Sequence, residues 1–283
     1  PYSWIFTMNS HGPRAYPRTP YDGWYVSIPN PDITFYLYDG NGVVPSTVEY
    51  MVDGTAFGAP LDYDVGDSII VHTPSDSWSN GYDVLVAVTA AEDSFATPLD
   101  EMGCYPVWMF TIDIAPPLVE WTEPMEWDTI GAETPLITVA IIDSLSGVDA
   151  ESLQISINGE AYFYSDSSVD FSGGVLSWDA FIAGVTFEDG DTIEVCVNAC
   201  DSPDMGDANW MEEHCFSFTA MISPPIVEFY DGISICSEDA IIEWLLYDRD
   251  GVYESLIEVT INGDAYTTSD AELAYDSFSG VLS

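Results

Sequence analysis

The sequence repeats itself. SWIFTMNSHGP (3–13), VWMFTIDIAPP (107–117) and CFSFTAMISPP (215–225) align on a Phe-Thr pair, which places Phe6, Phe110 and Phe218 at spacings of 104 and 108 residues. Further blocks recur in the same order. LYDGNGV (37–43), IIDSLSGV (141–148) and LYDRDGV (246–252) each close an apolar run with an Asp-containing turn. VEYMVDG (48–54), LQISING (153–159) and IEVTING (257–263) follow, and GYDVLVAVTA (81–90) matches GDTIEVCVNA (190–199). A sequence period of this kind constrains the fold more than any single motif, because each period must be one structural unit.

Within a period the apolar residues alternate. Ile137, Val139 and Ile141 share one face, as do Leu153, Ile155 and Ile157, and Ile193, Val195 and Val197. Asn-Gly, Asp-Gly and Ser-Gly turns separate these runs, and no stretch sustains a helical period. Several short strands with such turns in a unit of this length predict an all-β fold of tandem antiparallel β-sandwich domains joined by Pro-rich linkers. The expected boundaries are 13–115 for the first domain and 116–223 for the second, with 224–283 as the N-terminal part of an incomplete third. Residues 1–12 read as the last strand of a preceding unit, an inter-unit strand carrying Trp4, Ile5, Phe6 and Met8. These ends are expected to be a window onto a longer array. The alternative is a subunit completed by a neighbour's strand through edge pairing.

The run SGVD…INGE…DGDTIEVCVNACDSPD…CFSF (146–218) resembles the Ig-like repeats of large bacterial and archaeal secreted or cell-surface proteins. That resemblance implies an Ig-like sandwich and a role in stalks, adhesins or filaments, with an occasional calcium or glycan site. The first repeat departs from it: Ala87 and Ala91 stand where the second has Cys196 and Cys200.

Charge excludes several partners. Forty-nine acidic residues face three bases, Arg14, Arg18 and Arg249, for a net charge of −46. Such a chain has no basic footprint for nucleic acid and does not adhere to anionic lipid. No run is long and apolar enough for a membrane span. Apolar residues at 47% and aromatics at 14% exclude an acidic disordered tail. There is no lysine for an isopeptide crosslink and no Asn-X-Ser/Thr sequon.

The five cysteines are Cys104, Cys196, Cys200, Cys215 and Cys236. Cys196 and Cys200 are four apart on one strand, so their Cα atoms stand about 13 Å apart, beyond the ~7 Å limit for a disulfide. The expected bridge is Cys200–Cys215, closing a hairpin, with Cys196–Cys215 second. A bridge implies an oxidising, extracellular setting. The same separation opposes a zinc site of Cys196, Cys200, His214 and Cys215, whose sulfurs would need to reach about 2.3 Å from one ion.

Acidic turns are the candidate metal ligands: Asp248 and Asp250 in DRDG, and Glu188, Asp189 and Asp191 in EDGD. Asp201, Asp204 and Asp207 form a third group. Clustered carboxylates suit calcium, the one cofactor the composition suggests; the simpler reading is that Asp and Gly make turns. No arrangement supports nucleophilic catalysis, since His11, His72 and His214 lie apart from any nucleophile elbow. Trp108, Tyr162, Phe181, Phe187 and Phe216 are expected in cores. The linkers, Pro116-Pro117 and Pro224-Pro225, restrict φ, and Trp121 and Phe229 just after them are expected to pack on the adjoining domain. The function expected is a non-catalytic extracellular stalk or filament at the cell surface, its partners further copies of itself. The rival is an adhesin that binds glycan or protein through loop tips 72–80 or 201–214.

Overall fold

The computed structural model describes residues 2–3, 10–59, 63–64, 66–100, 106–229, 241–249 and 251–283. Trp4, Ile5, Phe6, Met8, Asp250, Cys104 and Cys236 lie outside the described residues. The chain forms two compact units. One gathers 1–120, 140–154 and 198–213; the other gathers 121–139, 155–197 and 214–283.

In the first unit the strands are β1 (Arg14–Thr19), β2 (Tyr25–Val26), β3 (Ile33–Tyr38), β4 (Glu49–Val52), β5 (Thr55–Gly58), β6 (Tyr63–Asp64), β7 (Ile69–His72), β8 (Asp83–Ala90) and β9 (Val107–Ile112). They form two sheets, β1-β3-β7-β6 and β2-β9-β8-β4-β5. Alternation drives the packing: Ile33, Phe35 and Leu37 of β3 and Val84 and Val86 of β8 are wholly buried, and Trp108 and Phe110 of β9 close the core between the sheets.

The same plan recurs. Next come β10 (Leu118–Glu123), β11 (Thr129–Ile130), β12 (Leu136–Ile142), β13 (Gln154–Ile157), β14 (Glu160–Phe163), β15 (Val169–Ser172), β16 (Val175–Asp179), β17 (Thr192–Asn198) and β18 (His214–Ala220). Their sheets are β10-β12-β16-β15 and β11-β18-β17-β13-β14, the first sandwich's order strand for strand. The short β2 and β11 pair parallel with β9 and β18, while the other pairs within these sheets are antiparallel where their register is resolved. The inward sets Ile137/Val139/Ile141, Leu153/Ile155/Ile157 and Ile193/Val195/Val197 are all buried, as the alternation requires.

The last strands are β19 (Ile226–Phe229), β20 (Trp244–Tyr247), β21 (Glu258–Ile261), β22 (Asp264–Thr267), β23 (Tyr275–Asp276) and β24 (Val281–Leu282). The sheet β19-β20-β24-β23 repeats the first sheet of each sandwich. Among the described residues its partner sheet is the hairpin β21-β22, where the other sandwiches have five strands. Phe229, Trp244, Leu246, Val259 and Leu282 line a cleft of about 840 Å³.

Local chemistry explains the hairpins. Asp53-Gly54, Asn158-Gly159 and Asn262-Gly263 all have positive φ at both residues, the requirement of a type I′ turn, which matches the twist of the strands it joins. The chain is therefore all-β, built of tandem Ig-like antiparallel sandwiches. The one α-helix among the described residues is a single turn, Ala180–Ala183 (α1), and no helix there is long and apolar enough to cross a membrane. Phe181 on that turn points outward, 78% exposed, against the expectation that it is core, while Trp108, Phe187 and Phe216 are buried.

Candidate functional site: a clamped joint with three facing carboxylates

The distinctive chemistry lies where two loops of the second repeat, 140–154 and 198–213, pack into the first unit. Residues 204–206 lie along the short edge strand β2. Asp204 N donates to Tyr25 O at 2.9 Å, Ser27 N to Met205 O at 2.9 Å, and Tyr25 N to Asp204 Oδ2 at 2.9 Å. Val26 and Met205 form a parallel bridge, and Met205 packs against the first sandwich's core. Gly206 has φ +102°, and a Cβ there would collide with Ser27 Oγ and stand 3.1 Å from Ile28 Cγ1. Only glycine combines that backbone with that approach. Residues 204–206 of the loop 201–214 are therefore spent on an edge strand.

The linkers are held as well. Asn80 Oδ1 accepts the N–H groups of Ile114 at 2.7 Å and Ala115 at 3.1 Å. One repeat later Asp189 Oδ1 accepts those of Ile222 at 2.8 Å and Ser223 at 2.9 Å. Both residues precede a glycine whose own N–H bonds the final strand: Gly81 to Ile112 O and Gly190 to Ala220 O, each at 2.7 Å. These amides, with Arg249 as a lesser influence, hold the Asp189 carboxyl below the ordinary range.

That accounts for the EDGD turn. Asp189 grips the linker and Asp191 Oδ2 accepts Glu188 N–H at 2.8 Å, so the carboxylates serve backbone amides. Glu188, Asp189 and Asp191 form no convergent ligand group among the described residues. Asp248 is half-buried at the cleft of the third sandwich. Trp121 lies on β10 and Phe229 on β19, 46% and 77% exposed.

The cysteine pairing is a second correction. Cys215 bonds Cys196, not Cys200. The two face each other in the β17–β18 register with Cα atoms 4.0 Å apart. Strand β17 ends at Asn198, so Cys200 lies beyond the paired segment. It is a buried thiol whose N–H donates to Ser152 Oγ at 2.9 Å, and burial pushes its pKa up.

Of the acidic-turn candidates, Asp201 does converge with other carboxylates, but with Asp113 and Asp143 instead of Asp204 and Asp207. Asp113, Asp143 and Asp201 each present an oxygen within 4.8 Å of the others. Asp113 and Asp201 are buried and Asp143 is half-buried. Asp113 directly follows β9; Asp143 caps the turn after β12, its Oδ1 accepting Leu145 N–H at 2.9 Å and Gly147 N–H at 3.0 Å. Asp201 is gripped by Asn209, whose backbone N–H reaches Oδ1 and whose Nδ2 reaches Oδ2, both at 2.6 Å. The same Nδ2 donates to Asp113 O at 3.0 Å. Asp113 Oδ2 accepts Ser146 N–H at 2.9 Å, whereas Oδ1 is buried with no protein donor, as is Ser146 Oγ. Burial pushes the Asp201 carboxyl above its ordinary range, Asn209 opposes this, and the charges of Asp113 and Asp143 add to it. Unit charges at such separations repel by roughly 3–4 kcal/mol per pair at an effective dielectric of about 20.

No protein-family model matches the sequence, and no curated protein matches it. Among solved structures the chain is similar to fibronectin(III)-like modules of Clostridium thermocellum CbhA, at 14% identity over 73% of this chain and 94% of that one, with a TM-score of 0.32. It is similar to human protocadherin-24 EC1-2, at 9% identity over 76% and 100%, TM-score 0.34. A chimeric titin Z1Z2 matches at 11% identity over 77% and 100%, TM-score 0.30. Likenesses this distant carry nothing about activity.

Proposed function

We propose that the chain is a segment of an extracellular, cell-surface repeat protein, a stalk or filament whose domains (13–115, 116–223 and from 224 onward) act as spacers without catalysis. The observation that carries this reading is the docking of residues 204–206 on Tyr25–Ser27, which ties consecutive repeats by backbone pairing. The linker clamps by Asn80 and Asp189 support it. So does the Cys196–Cys215 bridge, a bond that persists in oxidising compartments. His72 is packed between Tyr50 and Phe57, and His11 lies 3.2 Å from Asp100. Partners are further repeats of the same kind, in the same chain or in neighbouring copies.

Small-angle scattering with electron microscopy tests this. The wild-type chain is expected to behave as a stiff rod. Gly206→Val, which drives a side chain into Ser27, and Asp189→Ala, which frees the linker, are expected to behave as jointed chains. Asp189→Asn, matching Asn80, is expected to stay stiff. A jointed wild type, or specific retention of a glycan on an array, overturns the stalk in favour of a loop-tip binder.

A further inference from the structure

We propose that Asp113, Asp143 and Asp201 form a calcium site that locks the joint between the first and second repeats. Three observations converge on it. The carboxylate oxygens lie within 4.8 Å of one another, and oxygens bound at about 2.3–2.6 Å from one calcium ion stand at most about 5 Å apart. Asp113 is fully buried and its Oδ1 has no protein donor, while the neighbouring Ser146 Oγ is likewise unpartnered. A buried, unpaired carboxylate oxygen beside two further carboxylates is a group that needs a cation.

The chain has no base to supply. It contains three arginines and no lysine. Arg14 bonds Asp100 at 3.0 Å, Arg18 lies over the Tyr36 ring, and Arg249 stands against Gly190. The first repeat solves the equivalent problem differently. There Asp93, bridged to Val43 as Asp201 is to Val148, is satisfied by Asn41 Nδ2 at 2.9 Å and by the N–H groups of Phe95 and Thr97. In the second repeat Leu145 stands where Asn41 does, and a third carboxylate, Asp113, is added. The alignment on Phe-Thr puts Asn9 and Met221 at the positions of Asp113, so the full triad belongs to this joint. Asn209 orients Asp201 from behind, as outer-shell partners of metal ligands do. Oxygen-only donors and irregular spacing suit calcium better than magnesium, which demands near-octahedral geometry and keeps its water.

The inference deepens the stalk reading and rests on it for the role of the ion: three segments from two repeats would be tied through one charge. The test is calorimetric titration of the whole chelator-stripped chain with calcium chloride and, separately, magnesium chloride, with melting curves alongside. One tight calcium site per chain is expected above a weak background, with a saturable rise in melting temperature. Asp113→Asn and Asp143→Asn should each weaken that site by at least ~10-fold, the loss that outer-shell changes alone produce. In chelator, Asp113→Asn should melt at or above the wild type, since it removes a charge from an uncompensated group. Glu188→Gln, outside the triad, should leave the tight site intact. The site is overturned by the absence of tight binding, by its persistence in both Asp variants, by magnesium binding as tightly as calcium, or by melting that ignores chelator at pH 7, as it would if a proton neutralised the triad. A rod-like chain without tight binding refutes the ion alone. A jointed chain that binds calcium tightly refutes the stalk.

Discussion

A single buried histidine shows how residue chemistry couples to stability. His72 ends β7 with its Nδ1 3.1 Å from the Tyr50 hydroxyl and its ring 4.4 Å from that of Phe57. Burial lowers its pKa below the ordinary 6.5, with Asp32 pulling weakly the other way. The unfolded chain therefore takes up the His72 proton at higher pH than the folded one. Its effect on stability is absent above about pH 6.5, and stability declines as pH falls through that value toward the folded pKa. Urea titrations between pH 7.5 and 5 should show this decline in the wild type and lose that component in His72→Gln, which keeps a partner for Tyr50 but does not titrate. An equal decline in both chains would assign it to other groups. Residues whose role is local were legible in the sequence: Asp53, Asn158 and Asn262 announce their turns because a type I′ hairpin needs their backbone freedom. Asp113 was not legible. Strand alternation turns it away from the core, and it is buried only because Ser146 and Asn209, from distant segments, close over it.

At the scale of elements, period-2 patterning carried the sheets correctly because each strand's inward face is fixed by burial. It could not carry the disulfide. The pairing depends on where β17 stops and on the register that sets Cys196 opposite Cys215, and neither is written in local composition. Nor could it reveal that EDGD is a linker clamp, although Asn80-Gly81 and Asp189-Gly190 occupy matching places in the repeat. The Cys196–Cys215 bridge spans a sequence separation of 19, and loops of that size contribute about 3 kcal/mol. Cys215→Ser should lower the unfolding free energy by about that amount, read from urea melts. Peptide mapping of the unreduced protein should find Cys196 joined to Cys215. An alkylating reagent should reach Cys200 only on unfolding, since its thiol is buried and its pKa raised. A mapped Cys200–Cys215 peptide would reverse the assignment.

For the whole molecule the dominant quantity is a net charge of −46 that only three bases offset. Charge of one sign repels itself, and the folded state holds it closer together than the unfolded chain does. Yet much of it is placed to do work. Asp53, Asp93, Asp143, Asp189 and Asp276 all accept hydrogen bonds from backbone amides or side chains. Acidity thus supplies turn and linker acceptors throughout, and repulsion is the accompanying cost. Screening separates the two effects, because salt weakens long-range repulsion while leaving short hydrogen bonds nearly intact. The Debye length falls from about 30 Å at 0.01 M to about 3 Å at 1 M. The melting temperature should therefore climb steadily with sodium chloride across that range, by roughly 4–8 °C for each kcal/mol of repulsion relieved in a domain of this size. The climb should flatten only as the screening length drops below the spacing between charges, near 1 M, and should be the same in Asp113→Asn as in the wild type, because it belongs to the surface as a whole. A salt response that disappears with Asp113 would mean that the charge acts through one site and that the rest of the acidic surface is energetically silent.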